Sequence, residues 1–431
     1  MGSSGTDRAS SHAEKALLTA CERLREGTPA DAIDGVVPSF VASPADTAEA
    51  AALLRAAATH GLAVVPRGTG SRLGWGIPPS RCDLVVDMLR MGSVVEHAAG
   101  DLVARVQAGA RMGDVASALA SAGQEIALDV PASATVGGVI ASGLTGPRRL
   151  RYGAPRDLLI GITVVRADGT VARSGGKVVK NVAGYDLGKL LAGSWGTLGL
   201  ITEATFRLHP LPAALVFVTA SVASPAAAAR AIAAAAASPL VASAVEVSRP
   251  GPGQPFRVGV LLEGSADGVA ARASRMSELL GAEAVADAVA SADPPEWWPG
   301  AKRAPEGGTL IQVSFWVSAL ESVLDTVDAA SRAADVAPVV GGAAGAGVVH
   351  VGLGPASDAG AAGRFVGALR EKLSRERGSV VVLAAPPAVR AELRGYGGMN
   401  GKVPSLRLMR AVKDQFDPDG RMSAGRFPEG A

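Results

Sequence analysis

A short apolar run that empties into a glycine-dense loop constrains this chain more than any other stretch. Residues 62–76 read Leu-Ala-Val-Val-Pro-Arg-Gly-Thr-Gly-Ser-Arg-Leu-Gly-Trp-Gly. A strand over 63–65 ends at Pro66 and delivers the backbone into glycines 68, 70, 74 and 76, where left-handed turns cost little. Consecutive N–H groups in such a loop converge into a concave nest that suits an anion. Gly68 and Gly70 let a bulky pyrophosphate approach without meeting a Cβ, and Arg67 can add a charge-assisted hydrogen bond. The Rossmann fingerprint needs G-x-G-x-x-G opening a helix. Here the third glycine comes one place late, at Gly74, and Pro78 and Pro79 deny a helix its hydrogen bonds. A phosphate is therefore expected on loop backbone, although the loop taken alone reads equally well as a tight surface turn.

Two further clusters of small residues follow. Residues 129–146 run Asp-Val-Pro-Ala-Ser-Ala-Thr-Val-Gly-Gly-Val-Ile-Ala-Ser-Gly-Leu-Thr-Gly. Thr135 can cap a turn there, and Gly137, Gly138, Ala141 and Ser142 give a face small enough for a flat ligand or for tight helix packing. Arg148, Arg149 and Arg151 face either phosphate or solvent. Gly196, Gly199 and Ile201 place a third compact loop at the start of a strand over 200–208. Pro210 and Pro212 then mark a domain boundary.

A chain of 431 residues has room for two or three domains. Its 42 basic and 40 acidic residues nearly balance, so nothing points to nucleic acid or an anionic membrane surface. Cys21 and Cys82 form neither a spaced metal motif nor a disulfide framework, and a reducing, cytoplasmic location is expected. No run reaches the roughly 20 apolar residues that span a bilayer. Residues 1–5 lack the basic and apolar regions of a signal peptide and read as a disordered tail.

Periodicity predicts a helix over 13–25, a second capped at Ser43 and running to His60, and strands over 84–87, 94–97 and 102–107. A helix over 112–122 ends at Gly123. Strands over 158–166 and 171–174 form a hairpin turned by Ala167-Asp168-Gly169. From Ala213 strands alternate with alanine-rich helices in two rounds, divided by a linker over 294–305, and suit an antiparallel sheet backed by helices. The last helix stops near Phe416, before Asp417-Pro-Asp-Gly420 and Gly425-Arg426.

With the three loops in hand, their order is informative. Pro66-Arg-Gly-Thr-Gly-Ser71, the run 131–146 followed by Arg151-Tyr-Gly153, and Gly193-Ser-Trp-Gly-Thr-Leu-Gly-Leu-Ile201 resemble the PCMH-type FAD-binding domain of the vanillyl-alcohol-oxidase superfamily. The resemblance covers about residues 35–212 and continues in the 413–426 tail. Within it, Gly176-Lys-Val-Val-Lys-Asn-Val-Ala-Gly-Tyr-Asp186 is similar to the FAD-binding E subunit of bacterial glycolate oxidase. This implies an α+β fold: an N-terminal tail and helix over 1–30, and an FAD-binding domain of two α/β subdomains over 31–212. An α+β cap domain with an antiparallel sheet follows over 213–400, and residues 401–431 return to the FAD domain.

By the same resemblance, Pro66, Arg67, Gly68, Thr69, Gly70 and Ser71 meet the FAD pyrophosphate. Pro131, Thr135, Gly137, Gly138, Ser142, Gly143 and Gly146 line the cofactor, joined by Tyr152, Gly153, Gly196 and Ile201. Relatives that attach flavin covalently place His where this chain has Ser71, so non-covalent FAD is implied. The family's catalytic D subunit carries a histidine-rich cluster in its C-terminal half, whereas this chain has only His350 there, a candidate base or a packed core residue. Tyr152 and Tyr185 suit donation to flavin or substrate, or packing; Lys177 and Lys180 suit a carboxylate, or solvent. No metal site is expected. The implied function is the FAD-binding subunit of a glycolate oxidase complex acting on a small hydroxy acid, as catalyst, electron relay or support. Its implied partners are a second FAD-binding subunit and an iron–sulfur subunit, with any membrane association peripheral and through them. The alternatives are a stand-alone FAD oxidoreductase of another hydroxy acid or sugar alcohol, and a non-redox nucleotide-binding module.

Overall fold

A computed structural model describes residues 3–177, 186–298, 305–375 and 378–428. Two compact units divide the chain. The first comprises residues 1–144, 154–211 and 404–431; the second comprises 145–153 and 212–403.

The first unit contains two main sheets. Strands Val64–Arg67, Leu84–Asp87 and Phe40–Ala42 lie parallel, with Leu84–Asp87 in the middle, and Leu24–Glu26 adds an antiparallel edge. These short strands are apolar runs, as expected where a parallel sheet is covered on both faces. Helix Thr47–Thr59 buries Ala50, Ala51, Leu53, Leu54 and Ala57. Its cap is Asp46 and not Ser43: Asp46 is extended, and its carboxylate accepts the Glu49 N–H at 2.8 Å. The first helix runs Ser3–Ala20, so it begins inside the stretch read as a tail and ends well before Arg25.

The second sheet is antiparallel, in the order Val94–Ala98, Val103–Gln107, Leu200–Arg207, Leu159–Val165, Val171–Gly175. Its central strand inserts the fully buried Phe206, Leu200 and Ala204 into a core that also takes Val86, Val106 and Ile140. Burying a side chain of this size is worth about 1.5–3 kcal/mol. One cluster of buried side chains therefore joins both sheets, and a smaller one, Ile33, Val41, Val65, Cys82 and Val85, takes Leu73 of the first glycine loop.

Among the described residues, the second unit is built around one eight-stranded antiparallel sheet. Its strands arise from two successive β-α-β-β-α-β rounds. The first is Ala214–Val222, helix Pro225–Ala237, Ala244–Arg249, Phe256–Gly264, helix Ala266–Gly281 and Val289–Ser291. The second is Thr309–Ser314, helix Leu320–Ala334, Val339–Gly342, Val348–Leu353, helix Ala359–Ser374 and Ser379–Ala384. Each round places its strands in the order fourth, first, third, second, the split β-α-β arrangement. The two second strands pair with one another, Val247 opposite Gly342 and Arg249 opposite Val340, and fuse the rounds into one sheet. Alanine lets the helices sit close: in Pro225–Ala237, capped by Ser224, the buried face is Ala227, Ala228, Ala231, Ile232 and Ala235.

Candidate functional site

The strand Val64–Arg67 opens directly into an open cleft of the first unit, with a cavity volume of about 120 Å³. Pro66, Arg67, Gly68, Thr69, Gly70 and Ser71 form one wall. Thr135, Gly137, Gly138, Ala141 and Ser142 form a second, and Trp195, Gly196, Gly199, Leu200 and Ile201 a third. Loops separated by more than a hundred residues thus meet at one place.

Their convergence is enforced by close backbone approach. A Cβ on Gly68 would lie 2.1 Å from Thr135 Oγ1, and one on Gly196 would lie 3.4 Å from the Pro66 ring. Between the second and third walls, the Gly193 N–H donates to Ile140 O at 2.9 Å and the Trp195 N–H to Ala141 O at 2.8 Å. Thr135 caps helix Val136–Ser142 through the Gly138 N–H, at 3.3 Å. Trp195 has φ of +54°, a left-handed conformation that an aromatic residue adopts only where its surroundings impose it. That strain sits on the cleft wall.

Several expected residues behave differently. Arg67 stays in the lining, but its guanidinium donates to Asp31 Oδ1 and Asp87 Oδ2, both at 3.0 Å. Its charge is met by these carboxylates, so Arg67 is not a free cation for an anion in the cleft. The Arg25 guanidinium, 2.6 Å away, holds the buried Asp31 carboxyl far below the usual carboxylate range, with Arg67 and Thr28 adding to the effect. Pro131 and Gly143 lie beside the second wall and outside the lining. Gly146, Tyr152 and Gly153 belong to the second unit and do not line this cleft. There the Tyr152 hydroxyl donates to Glu263 Oε2 at 3.2 Å, Arg148 to Glu263 Oε1 at 3.3 Å and Arg151 to Ser243 Oγ at 3.3 Å. Burial and the neighbouring Glu263 push the Tyr152 phenol above its ordinary pKa. Lys177 pairs with Glu96 at 2.6 Å. Lys180 and Tyr185 lie outside the described residues.

His350 is buried in Val348–Leu353, a strand with all six residues buried. The pairing register places Arg257, Ser248, Gly341, His350 and Gln312 side by side across five strands of the second unit. Glu246, fully buried, is one pleat away on the strand of Ser248. His350 thus has one polar strand neighbour, Gln312, that the apolar look of its own strand concealed. Among the described residues no group of three or more His, Cys, Asp or Glu side chains could hold a metal ion. No described helix is long and apolar enough to cross a membrane. Cys21 and Cys82 are free and buried, and burial pushes their thiols up to about 11 and about 12.

Cleft-lining residues that the motifs did not single out include Met88, Ala108, Trp195 and Arg426. Trp195 lies inside the third glycine motif, and its neighbours were the available signal. Arg426 comes from the far end of the chain, where only the resemblance of the tail pointed to this domain.

The geometry fits a dinucleotide cofactor: glycine-rich backbone where a phosphate would approach, and small side chains at Gly137, Gly138 and Ala141 for a flat ring system. Comparison with known proteins agrees. Residues 38–175 match the FAD_binding_4 family, an FAD binding domain. Glycolate oxidase subunit GlcD of Bacillus subtilis (strain 168) is 37% identical over 213 residues, which is 49% of this chain and 45% of that protein. Glycolate oxidase subunit GlcE of Escherichia coli (strain K12) is 38% identical over 154 residues, 35% of this chain and 43% of that protein. The matches thus span less than half the length of these relatives. A solved alkyldihydroxyacetonephosphate synthase superposes with a TM-score of 0.69 at 15% identity, over 93% of this chain and 82% of that one, and shows a shared fold. Residues 38–175 are an FAD-binding domain of the PCMH type, and the cofactor of this chain is FAD.

Proposed function

We propose that this chain is the FAD-bearing subunit of a glycolate-oxidase-type complex that oxidises a small 2-hydroxy acid. The observation that carries the reading is the convergence of the three glycine loops on one cleft in a domain similar to both GlcD and GlcE. Residues 66–71 would hold the pyrophosphate on backbone N–H groups, Thr135 to Ser142 would press on the cofactor's flat surface, and Ile201 would meet its adenine end. With Ser71 at the first loop, FAD is held without a covalent bond. When bound, FAD supplies the acceptor for the hydride that leaves the carbon bearing the hydroxyl.

The chain's own residues must then orient the acid and take the hydroxyl proton. His350 is the candidate for the latter: a neutral imidazole nitrogen accepts a proton near neutral pH. Similarity to two different subunits supports a multi-subunit assembly, with a second flavin-bearing subunit and an iron–sulfur subunit as the expected companions. The test is direct. Purified chain should be yellow, should release its flavin on denaturation, and should reduce a dye acceptor with glycolate once its co-purifying subunits are present. His350→Ala should keep the flavin and lose most of the turnover; unchanged turnover would move the base elsewhere. Turnover of another hydroxy acid or a sugar alcohol by the isolated chain would replace the complex with a stand-alone oxidoreductase.

A further inference from the structure

The C-terminal segment touches the cofactor loops at more points than a docked tail requires. At the entrance to the first loop, the Val64 N–H donates to Arg421 O and the Ser423 N–H to Val64 O, both at 2.8 Å. At its exit, the Ser80 N–H donates to Ala424 O at 2.8 Å, and Gly425, with φ of +82°, leaves no room for a Cβ against Ser80. Between them the buried Arg426 donates from Nη1 to Trp75 O at 3.1 Å and from Nη2 to Leu73 O, while lining the cleft itself. The third loop is held as well. Lys413 Nζ donates to Thr197 O at 2.8 Å and to Asp417 Oδ2 at 2.5 Å, and Ser423 Oγ packs on Gly196. Asp417 in turn accepts the Arg421 and Met422 N–H groups, at 3.1 and 2.7 Å, which fixes the turn that presents Arg426.

We propose that Arg426 is a positioning residue of the FAD site, and that residues 413–426 latch the first and third glycine loops in the conformation that receives the diphosphate. A loop with four glycines in nine residues has many conformations of its own. One planar guanidinium bound to the carbonyls of residues 73 and 75 removes most of them, because its fork fixes both oxygens at once. The N–H groups of residues 68–71 are thereby set before the cofactor arrives, and binding does not have to order them.

This inference rests on the assignment of the cleft to FAD, and its experiment separates the two. In the full chain, Arg426→Ala should weaken FAD binding about 10- to 100-fold, the range for losing hydrogen bonds from a charged donor. In the flavin-free protein it should speed tryptic cleavage after Arg72, inside the loop, while cleavage after Lys372 in the second unit stays unchanged. Guanidinium ion at millimolar concentration should restore part of the binding. If Arg426→Ala does not fold, Arg426→Lys, which keeps the charge and loses the fork, should show the same increase in cleavage and a smaller loss of affinity. Wild-type affinity with unchanged cleavage after Arg72, in whichever variant folds, overturns the latch. A wild-type chain that refuses FAD while the variant still loosens the loop overturns the assignment of the cleft and leaves the latch standing.

Discussion

The two units hold their shape by different means. In the first, distant turns are brought together by backbone: Gly68 against Thr135, Gly196 against Pro66, and the Gly193 and Trp195 N–H groups on the carbonyls of residues 140 and 141. A few buried charges, Asp31 with Arg67 and Lys413 with Asp417, secure the arrangement. In the second, a repeated ladder of antiparallel strands carries alternating side chains, and its chemistry lies in which residues share a row. The difference teaches where single changes should matter. A site built on close backbone contact has few points of failure, each severe; a ladder of many pairs spreads its losses.

The largest effect is expected at Lys413. Its ammonium is buried with Asp417 and also holds the third loop through Thr197 O. Lys413→Met would leave the Asp417 carboxylate buried without its cation, which costs about 3–5 kcal/mol. Urea unfolding of the first unit should show that loss; a change below about 1 kcal/mol, the value of an exposed pair, would remove Lys413 from the elements holding this unit together.

Next comes Gly68→Val. With a Cβ placed 2.1 Å from Thr135 Oγ1, either the loop or the cap of helix Val136–Ser142 must move. FAD affinity should fall about 100-fold, equivalent to about 2.7 kcal/mol, as read by flavin retained through desalting. Full flavin occupancy in a folded variant would show that the two walls need not touch.

Much of this was legible from sequence, and the reasons are local. Strand Leu84–Asp87 and the hairpin around residues 167–169 carry their own apolar runs and turn residues, so tertiary structure had little to add. The cap of helix Thr47–Thr59 was misplaced by three residues because Ser43 and Asp46 are both good caps, and only backbone conformation separates them. Arg67 is different in kind. A cation before a glycine loop suggests phosphate, but Asp31 and Asp87 come from other elements, and no spacing announces their approach. Tyr152 was hidden the same way: its partner Glu263 is 111 positions away. The polar row through His350 needs a sheet register, which is set by the fusion of the two rounds and not by any one strand.

Asp31→Asn sharpens the comparison through pH. Arg25, then Arg67 and Thr28, hold this carboxyl below its ordinary range, so its contribution is present above the unfolded pKa of about 3.9 and is lost as pH falls toward the lower folded value. The variant should be about 2 kcal/mol less stable than wild type at pH 7, and the gap should narrow below about pH 4. Urea midpoints at the two pH values decide it; a gap that is the same at both would mean that Asp31 acts through packing and not through its charge.

The smallest effect is the most direct challenge to the contrast. The second unit also contains many glycines, and some are tightly packed, as Gly345 is against Val245, where a Cβ would lie 2.6 Å from the neighbouring Cβ. Gly354, after strand Val348–Leu353, is different: a methyl group added there would meet nothing within 4 Å, and its backbone is not left-handed. Gly354→Ala should therefore leave stability within about 0.5 kcal/mol of wild type, with any gain coming from a less flexible unfolded chain. Flavin content should not change at all. A loss comparable to that of Gly68→Val would mean that glycine builds close approaches throughout the molecule, and that the distinction between a backbone-held cleft and a side-chain ladder is one of degree.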